Sequence, residues 1–283
     1  MIKLSHILNE FEADLKQQCI VLMGLPGAGK STFINTDLSK YFPGFSGYTV
    51  TNSDTQLAKH QYQVAQGHYY HLSQMETEEE VEEFALNATY TSNQGKEVEH
   101  PVTWKWWKAN GDAGFDKFYK AFKNLYYVNY YDIRSLAKDD TSVDFATKVV
   151  TAGKYLVIDT TATSTNRIFS QLEKTRSEGY TNTIVYLELD PSYAVARDEY
   201  RGKTGDRNVG ANIILSYPKK LASAFKAYKK DGKKANGVVD RVMHFRWKGE
   251  VDPRKGVWIK QSDNKYFLKR KLKQMKAAKN KKK

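Results

Sequence analysis

Apolar residues along the chain follow two patterns. Short unbroken runs read as buried strands, and three-to-four-residue spacing reads as helices. Leu4, Ile7, Leu8, Phe11 and Leu15 share one helical face over residues 4–17, opposite Asn9, Glu10, Asp14 and Lys16. Ile20 to Met23 predicts a buried strand, and Thr32, Phe33 and Ile34 open a helix over Lys30 to Lys40. Pro43-Gly44 and Ser46-Gly47 end that helix. Tyr48 to Asp54 predicts a short second strand, and Thr55 to Gln66 a helix. Residues 142–152 resume a helix, followed by a strand at Tyr155 to Asp159 and a helix from Asn166 to Glu178 that Gly179 closes. A strand at Thr183 to Leu189, a helix from Ser192 to Arg201 and a helix from Ile213 to Lys230 come next, the last despite Pro218. Asp240 to Trp247 and Gly256 to Lys260 read as strands of a hairpin turning through Lys248-Gly249 and Asp252-Pro253. Strands alternating with helices predict an α/β fold with a mainly parallel sheet flanked by helices, joined by right-handed crossovers.

Residues 55–140 break the alternation. The first strand-like run there is Tyr126 to Tyr131. Before it come helical pieces, an acidic run from Glu78 to Glu83, and a dense set of rings: Trp104, Trp106, Trp107, Phe115, Phe118, Tyr119 and Phe122. The spacing from 115 to 122 puts four rings on one helix face. One reading is the core of a helical insertion, because aromatic side chains bury large areas. The other is a base-stacking surface with Lys105, Lys108, Lys117, Lys120 and Lys123 beside the rings. The expected organisation is therefore a core of residues 1–54 and 141–260, an aromatic-rich helical insertion at 55–140 that would serve as a substrate-binding subdomain, and a basic tail at 261–283.

The chemistry begins directly after the first strand. Gly24-Leu25-Pro26-Gly27-Ala28-Gly29-Lys30-Ser31 fits G-x-x-x-x-G-K-[ST] at every fixed position, with Thr32 following, between a strand and a helix. Glycines let backbone N–H groups turn inward around phosphate, and the helix N-terminus adds positive potential. Residues 24 and 27–32 would therefore bind a nucleoside triphosphate. Lys30 would reach the β- and γ-phosphates and Ser31 would ligate Mg²⁺. This makes the fold a P-loop NTPase. Asp159 ends a strand as a Walker-B carboxylate does and would hold Mg²⁺ through water. Thr160 follows where hydrolytic ATPases commonly carry a water-activating carboxylate, which favours transfer to an acceptor over hydrolysis. Asp54 ends the second strand, where it reads equally as a base for an acceptor hydroxyl or as a helix cap. Arg197, Arg201, Lys203 and Arg207 surround two glycines between helices. Cations on a mobile loop there would close over a transferring phosphate.

Charge changes the picture at one end. The chain has 283 residues and a formal charge of +13. Lys260 to Lys283 holds eleven Lys and Arg against one Asp, so most of the excess sits in the tail. That tail reads as solubilising, or as a salt-sensitive contact to a nucleic-acid backbone. No apolar run approaches the roughly 18 residues of a membrane helix, and mean hydropathy is −0.66. The single cysteine, Cys19, lies in the first strand and reads as core, which leaves no intramolecular disulfide and no cysteine zinc cluster. The expectation is a soluble cytoplasmic protein with no membrane contact; its oligomeric state is open.

Together these parts resemble the P-loop kinases that include zeta toxins and phage polynucleotide 5′-kinases. The resemblance rests on the Pro26-Gly27-x-Gly29-Lys30-Ser31 form of the P-loop, on Asn52-Ser53-Asp54, on the segment from Phe145 to Arg167, and on the arginines at 197 and 207. It covers roughly residues 18–54 and 142–247. It implies that Asp54 acts as general base, that Thr160 and Arg167 lie near nucleotide or acceptor, and that Arg197 and Arg207 are catalytic. The implied activity is ATP- and Mg²⁺-dependent transfer of the γ-phosphoryl group to a hydroxyl. The acceptor would be a nucleic-acid 5′-hydroxyl, a hydroxylated base or a nucleotide-sugar. The insertion is much longer than in small kinases of this kind. No Asp-x-Asp-x-Thr phosphatase motif is present. The competing readings are a non-catalytic nucleotide-binding module and a hydrolytic ATPase.

Overall fold

The computed structural model describes residues 17–42, 44–88, 90–91, 97–127, 131–204, 209–252, 254–271 and 273. The helix expected over residues 4–17 falls outside them except for Gln17. The chain divides into two compact units, one of residues 1–51 with 145–283 and one of residues 52–144.

The first unit is built on a six-stranded sheet. Its strands are β1 (Gln18–Gly24), β2 (Tyr48–Thr51), β5 (Tyr155–Asp159), β6 (Thr181–Glu188), β7 (Arg241–Gly249) and β8 (Gly256–Lys265), in the order β2-β5-β1-β6-β7-β8. The pairings are parallel except β7 with β8. Every residue of β1 and β5 is buried, as expected of central parallel strands covered on both faces. Register sets Leu22 of β1 beside Asp159 of β5 and Gly24 beside Leu187 of β6. The strand ends that carry the candidate chemistry are therefore neighbours at one edge of the sheet. Burial pushes the Cys19 thiol up to about 12 against a smaller opposing hydrogen bond from Thr175, in keeping with an inert core residue.

The helices of this unit are α1 (Lys30–Thr36), α7 (Thr165–Ser177), α8 (Pro191–Lys203) and α9 (Ala211–Lys233). The helix expected over Lys30 to Lys40 stops at Thr36, and a 3₁₀ turn takes Leu38 to Lys40. Asp37 explains the break. Its carboxylate accepts from Thr36 Oγ1 at 2.8 Å and from Lys40 Nζ at 2.6 Å, local bonds that compete with a continuing helix. The expected basic tail begins later than position 261, because β8 runs to Lys265 and residues 266–271 are helical. Arg270 fastens this end. It donates to the Asp240 carboxylate and to the carbonyl oxygens of Gly237 and Val239, while Asp240 also accepts from Arg176 and from the Asn182 backbone N–H.

The second unit is mainly helical: α2 (Ser53–Leu72), α3 (Glu78–Asn87), α4 (Trp104–Asn110), α5 (Phe115–Tyr127) and most of α6 (Tyr131–Thr151), with a short antiparallel pair β3 (Tyr90–Thr91) and β4 (Glu97–Val98). The acidic run starts α3 through a capping box between Thr77 and Glu80, where three glutamates favour the helix N-terminus. Where it is described, the strand-like run at 126–131 is helical. Tyr126 and Tyr127 end α5 and Tyr131 begins α6, with 128–130 outside the described residues. The rings at 115, 118, 122 and 126 continue one helical period, and that outweighs the local strand preference of aromatics. Phe118, Phe122, Tyr126 and Trp107 are buried in the unit's own core, with Phe115 and Tyr119 half-buried against it. Those rings form the core of the insertion, and its outward lysines include Lys117 and Lys120.

A buried polar chain crosses that core. The Val102 N–H donates to His100 Nδ1 at 3.2 Å, so His100 carries its proton on Nε2 and donates it to the Tyr126 hydroxyl at 2.9 Å. Tyr126 then donates to His68 Nδ1 at 3.0 Å. Both rings are neutral. Burial first, and a neighbouring histidine second, lowers His68 to about 4 and His100 to about 3 from the usual 6.5. Because the unfolded chain binds these protons more readily, their contribution is present above about pH 6.5. It is lost as pH falls through 6.5 towards 4 and 3, an effect on the order of several kcal/mol. Fluorescence of Trp104, Trp106 and Trp107 is expected to report unfolding of this unit across that acid range, with a shallower transition in His100→Gln.

Candidate functional site

The site is assembled from the sheet edge outward. β1 ends at Gly24 and the chain turns through residues 25–29 into α1. Gly27 and Gly29 have φ of 77° and 80°, the left-handed region that disfavours a side chain. Gly27 is required twice over, because a Cβ there would stand 2.7 Å from the Ala194 carbonyl oxygen of α8. Gly27→Ala is expected to cost at least about 1–2 kcal/mol from backbone strain alone. A fall of several degrees in the thermal unfolding midpoint would register it. Ala28 is buried and its N–H donates to the Leu25 carbonyl at 3.1 Å, closing the turn. Lys30, Ser31 and Thr32 form the first turn of α1, where backbone N–H groups and the helix dipole favour an anion. Ser31 and Thr32 are exposed there. Lys30 Nζ donates to the Leu25 carbonyl at 3.3 Å and lies 3.9 Å from Asp159 Oδ1. The loop lysine and the strand-end carboxylate, 129 positions apart in sequence, thus share one place.

β5 continues into a tight loop. The Thr160 N–H donates to the Leu22 carbonyl at 3.2 Å, tying this loop to β1, and the Thr160 hydroxyl accepts from the Ala162 N–H at 3.2 Å. Ala162 has a positive φ of 55° and is held by Tyr228 of α9, whose hydroxyl donates to the Ala162 carbonyl at 2.7 Å. The sequence singled out Thr160 but not Tyr228, which anchors its loop from 66 residues away. Arg167 is exposed in the first turn of α7. Beside this loop an open groove of about 550 Å³ is lined by Thr163, Ser164, Thr165, Lys219, Lys220 and Ser223.

The expected arginine loop is arranged differently. Arg197, Arg201 and Lys203 all lie within α8, which runs to Lys203; Arg207 lies outside the described residues. The Asp198 carboxylate accepts from the N–H groups of Val209 and Gly210, fastening the start of α9 to α8. Arg197 is buried rather than mobile, with 8% exposure. Its Nη1 lies 3.6 Å from where a Cβ on Gly29 would sit. Its Nε donates to the Val251 carbonyl at 2.6 Å, and its guanidinium lies 4.8 Å from the Trp247 ring centroid. Its Nη2 is buried with no hydrogen-bond partner among the described residues. Burial lowers its pKa, and the nearby Asp252 charge opposes that shift.

Asp54 belongs to the second unit. β2 ends at Thr51 rather than at Asp54, and Asp54 is the exposed second residue of α2. The capping side chain is that of Asn52, which accepts from the Asp54 N–H at 2.8 Å. The structure thus brings together the P-loop, Asp159, Thr160 and Arg197 in the first unit.

No protein-family model matches the chain, and no curated protein matches it. Among solved structures, it is similar to one from the PezAT chromosomal toxin–antitoxin system of Streptococcus pneumoniae, at 13% identity and a TM-score of 0.47 over 92% of this chain and 80% of that one. It is also similar to a chain of the AvrRxo1-ORF1:AvrRxo1-ORF2 complex with sulphate ions, at 10% identity and a TM-score of 0.47. That likeness covers 91% of this chain but 61% of the other, less than two thirds of its length. The fold itself is that of a P-loop NTPase, given by the phosphate-loop turn, the Asp159 strand paired beside it and the mainly parallel sheet.

Proposed function

We propose that this protein is a kinase that transfers the γ-phosphoryl group of ATP to a hydroxyl acceptor. The observation that carries the reading is the convergence of Lys30, Asp159 and the buried Arg197 on one P-loop. A desolvated guanidinium with an unpartnered Nη2 beside the loop is a donor set suited to a polyphosphate, because a buried unsatisfied donor is otherwise costly. Ser31 and Asp159 would hold a magnesium ion, which when bound supplies charge neutralisation along the phosphates. Lys30 and Arg197 would stabilise negative charge on the group in flight. Asp54 would take the proton from the acceptor hydroxyl, and Thr160 and Arg167 would contact the acceptor. Thr160 in place of a second carboxylate favours an organic hydroxyl over water as nucleophile.

The groove lined by Lys219 and Lys220 beside the Thr160 loop favours an anionic acceptor. A nucleic-acid 5′-end and a nucleotide-sugar both have that character. The rings of the insertion are core, which weakens their candidacy as a base-stacking surface. The test is a transfer assay with γ-labelled ATP and Mg²⁺, offering 5′-hydroxyl DNA and RNA oligonucleotides and UDP-sugars in parallel. Label on one class assigns the acceptor, and label on neither overturns both assignments. Among the described residues no helix is long and apolar enough to cross a membrane.

A further inference from the structure

The tip of the β7–β8 hairpin has a feature that the kinase reading leaves unused. Trp247 presents its ring to Arg197, and the backbone carbonyl of Val251 accepts a hydrogen bond from the Arg197 Nε–H. The Trp247 ring is itself held, since its Nε1 donates to the Glu250 carbonyl at 2.9 Å and the ring makes a T-shaped contact with Trp258, centroids 5.3 Å apart. Trp258 in turn packs edge-on against Phe33 of α1, with centroids 6.2 Å apart. Room for the ring is provided by a glycine: a Cβ on Gly256 would come within 2.4 Å of Trp247 Cζ2. The cross-strand partner of Gly256 is Gly249, where a Cβ would strike the backbone of Gly256 at 2.3 Å. The hairpin is thus narrowed at its tip so that one indole and one carbonyl hold one guanidinium.

Arginine has five donors in a rigid fork and two flat faces. Here Nε is bonded to Val251 and the guanidinium carbon lies over the Trp247 ring, so the hairpin restrains the group from two sides. The outer nitrogens remain: Nη1 lies against the P-loop at Gly29, and Nη2 is buried without a partner. Among the described residues, three buried side-chain nitrogen or oxygen atoms lack a hydrogen-bond partner, and this is the one that belongs to a charged group. Fixing such a fork in advance reduces the ordering cost when an anion binds.

We infer that the β7–β8 hairpin is a built-in holder that aims Arg197 at the phosphates of the P-loop ligand, with Trp247 as its positioning residue. Trp247 itself touches no phosphate. This rests on the nucleotide-binding part of the kinase reading and not on the identity of the acceptor.

The test measures binding of MgATP and of tripolyphosphate by calorimetry to wild type, Arg197→Met, Trp247→Leu and Trp247→Phe, with thermal unfolding recorded for each. Tripolyphosphate isolates the phosphate contact from any contact to the base. Both ligands are expected to bind about tenfold or more weakly to Arg197→Met and Trp247→Leu. Trp247→Phe, which keeps an aromatic face, is expected to stay within about threefold of wild type. A purely structural role would make affinity follow the unfolding midpoint, with Phe and Leu equally affected at equal stability, and that result would overturn the proposal. Wild-type affinity in Arg197→Met would overturn it too, while leaving nucleotide binding standing. Failure of wild type to bind either ligand would overturn the nucleotide reading and the holder with it.

Discussion

Phosphoryl transfer by Lys30→Met is expected to fall about 10³-fold while the protein remains folded, the upper range for losing one charged donor to a developing negative charge. Methionine retains most of the lysine stem, so packing at the start of α1 is largely preserved. What disappears is the ammonium that stands 3.3 Å from the Leu25 carbonyl and 3.9 Å from Asp159. Two consequences follow. The γ-phosphoryl loses its cation, and Asp159, itself 8% exposed, loses the ammonium 3.9 Å away. The fall in kcat is expected to exceed the rise in KM for ATP, because the lysine acts most strongly on charge that develops during transfer. Steady-state kinetics beside a thermal melt separate this from unfolding. Transfer at the wild-type rate would remove the P-loop lysine from the chemistry.

The second large effect is expected from Asp54→Asn. A positioned general base contributes about 10² to 10⁴ in rate, and asparagine keeps the size of the side chain while losing its basicity. The Asn52 cap of α2 is unaffected, because Asn52 accepts from the backbone of residue 54 and not from its side chain. The fold of the second unit and the affinity for ATP should therefore remain, with kcat falling by that factor. This variant also divides the kinase from a non-catalytic nucleotide-binding module. In a module, Lys30→Met would abolish function and Asp54→Asn would leave it intact. In a kinase both abolish transfer, and only the first disturbs the phosphate loop.

The parts of the fold that sequence revealed are those carried by contiguous residues. The phosphate loop is one unbroken motif, and β1 and β5 are unbroken apolar runs because they are covered on both faces. Strand–helix alternation predicts that they run parallel in one sheet, but that they are direct neighbours with Asp159 level with Leu22 is seen only in the fold. Where sequence reasoning missed, the deciding contacts are far apart in the chain. Arg197 falls inside the helix expected from Ser192 to Arg201, yet it groups with Arg201, Lys203 and Arg207 as a mobile lid because glycines at 202 and 205 follow it. Asp198 instead anchors Val209 and Gly210, and α8 continues to Lys203. The Trp247 and Val251 contacts to Arg197 span about fifty residues and involve a backbone carbonyl, which leaves no side-chain signature. The local signs are Gly249, where the two backbones close up, and Gly256, where a side chain would displace the Trp247 ring. Tyr126 reads as the start of a strand-like run because a cluster of tyrosines has strand character. Its place is fixed instead by the helical period of α5 and by hydrogen bonds to two histidines remote in sequence.

The most direct test of the central claim follows the γ-phosphate itself. Wild type would be incubated with γ-labelled ATP, Mg²⁺ and a panel of anionic hydroxyl acceptors, and the label divided between covalent product and free phosphate. Label is expected on an acceptor hydroxyl, dependent on that acceptor, with little free phosphate and with the signal lost in Lys30→Met and Asp54→Asn. Rapid release of free phosphate regardless of acceptor, or no turnover by a protein that still binds ATP, would contradict it.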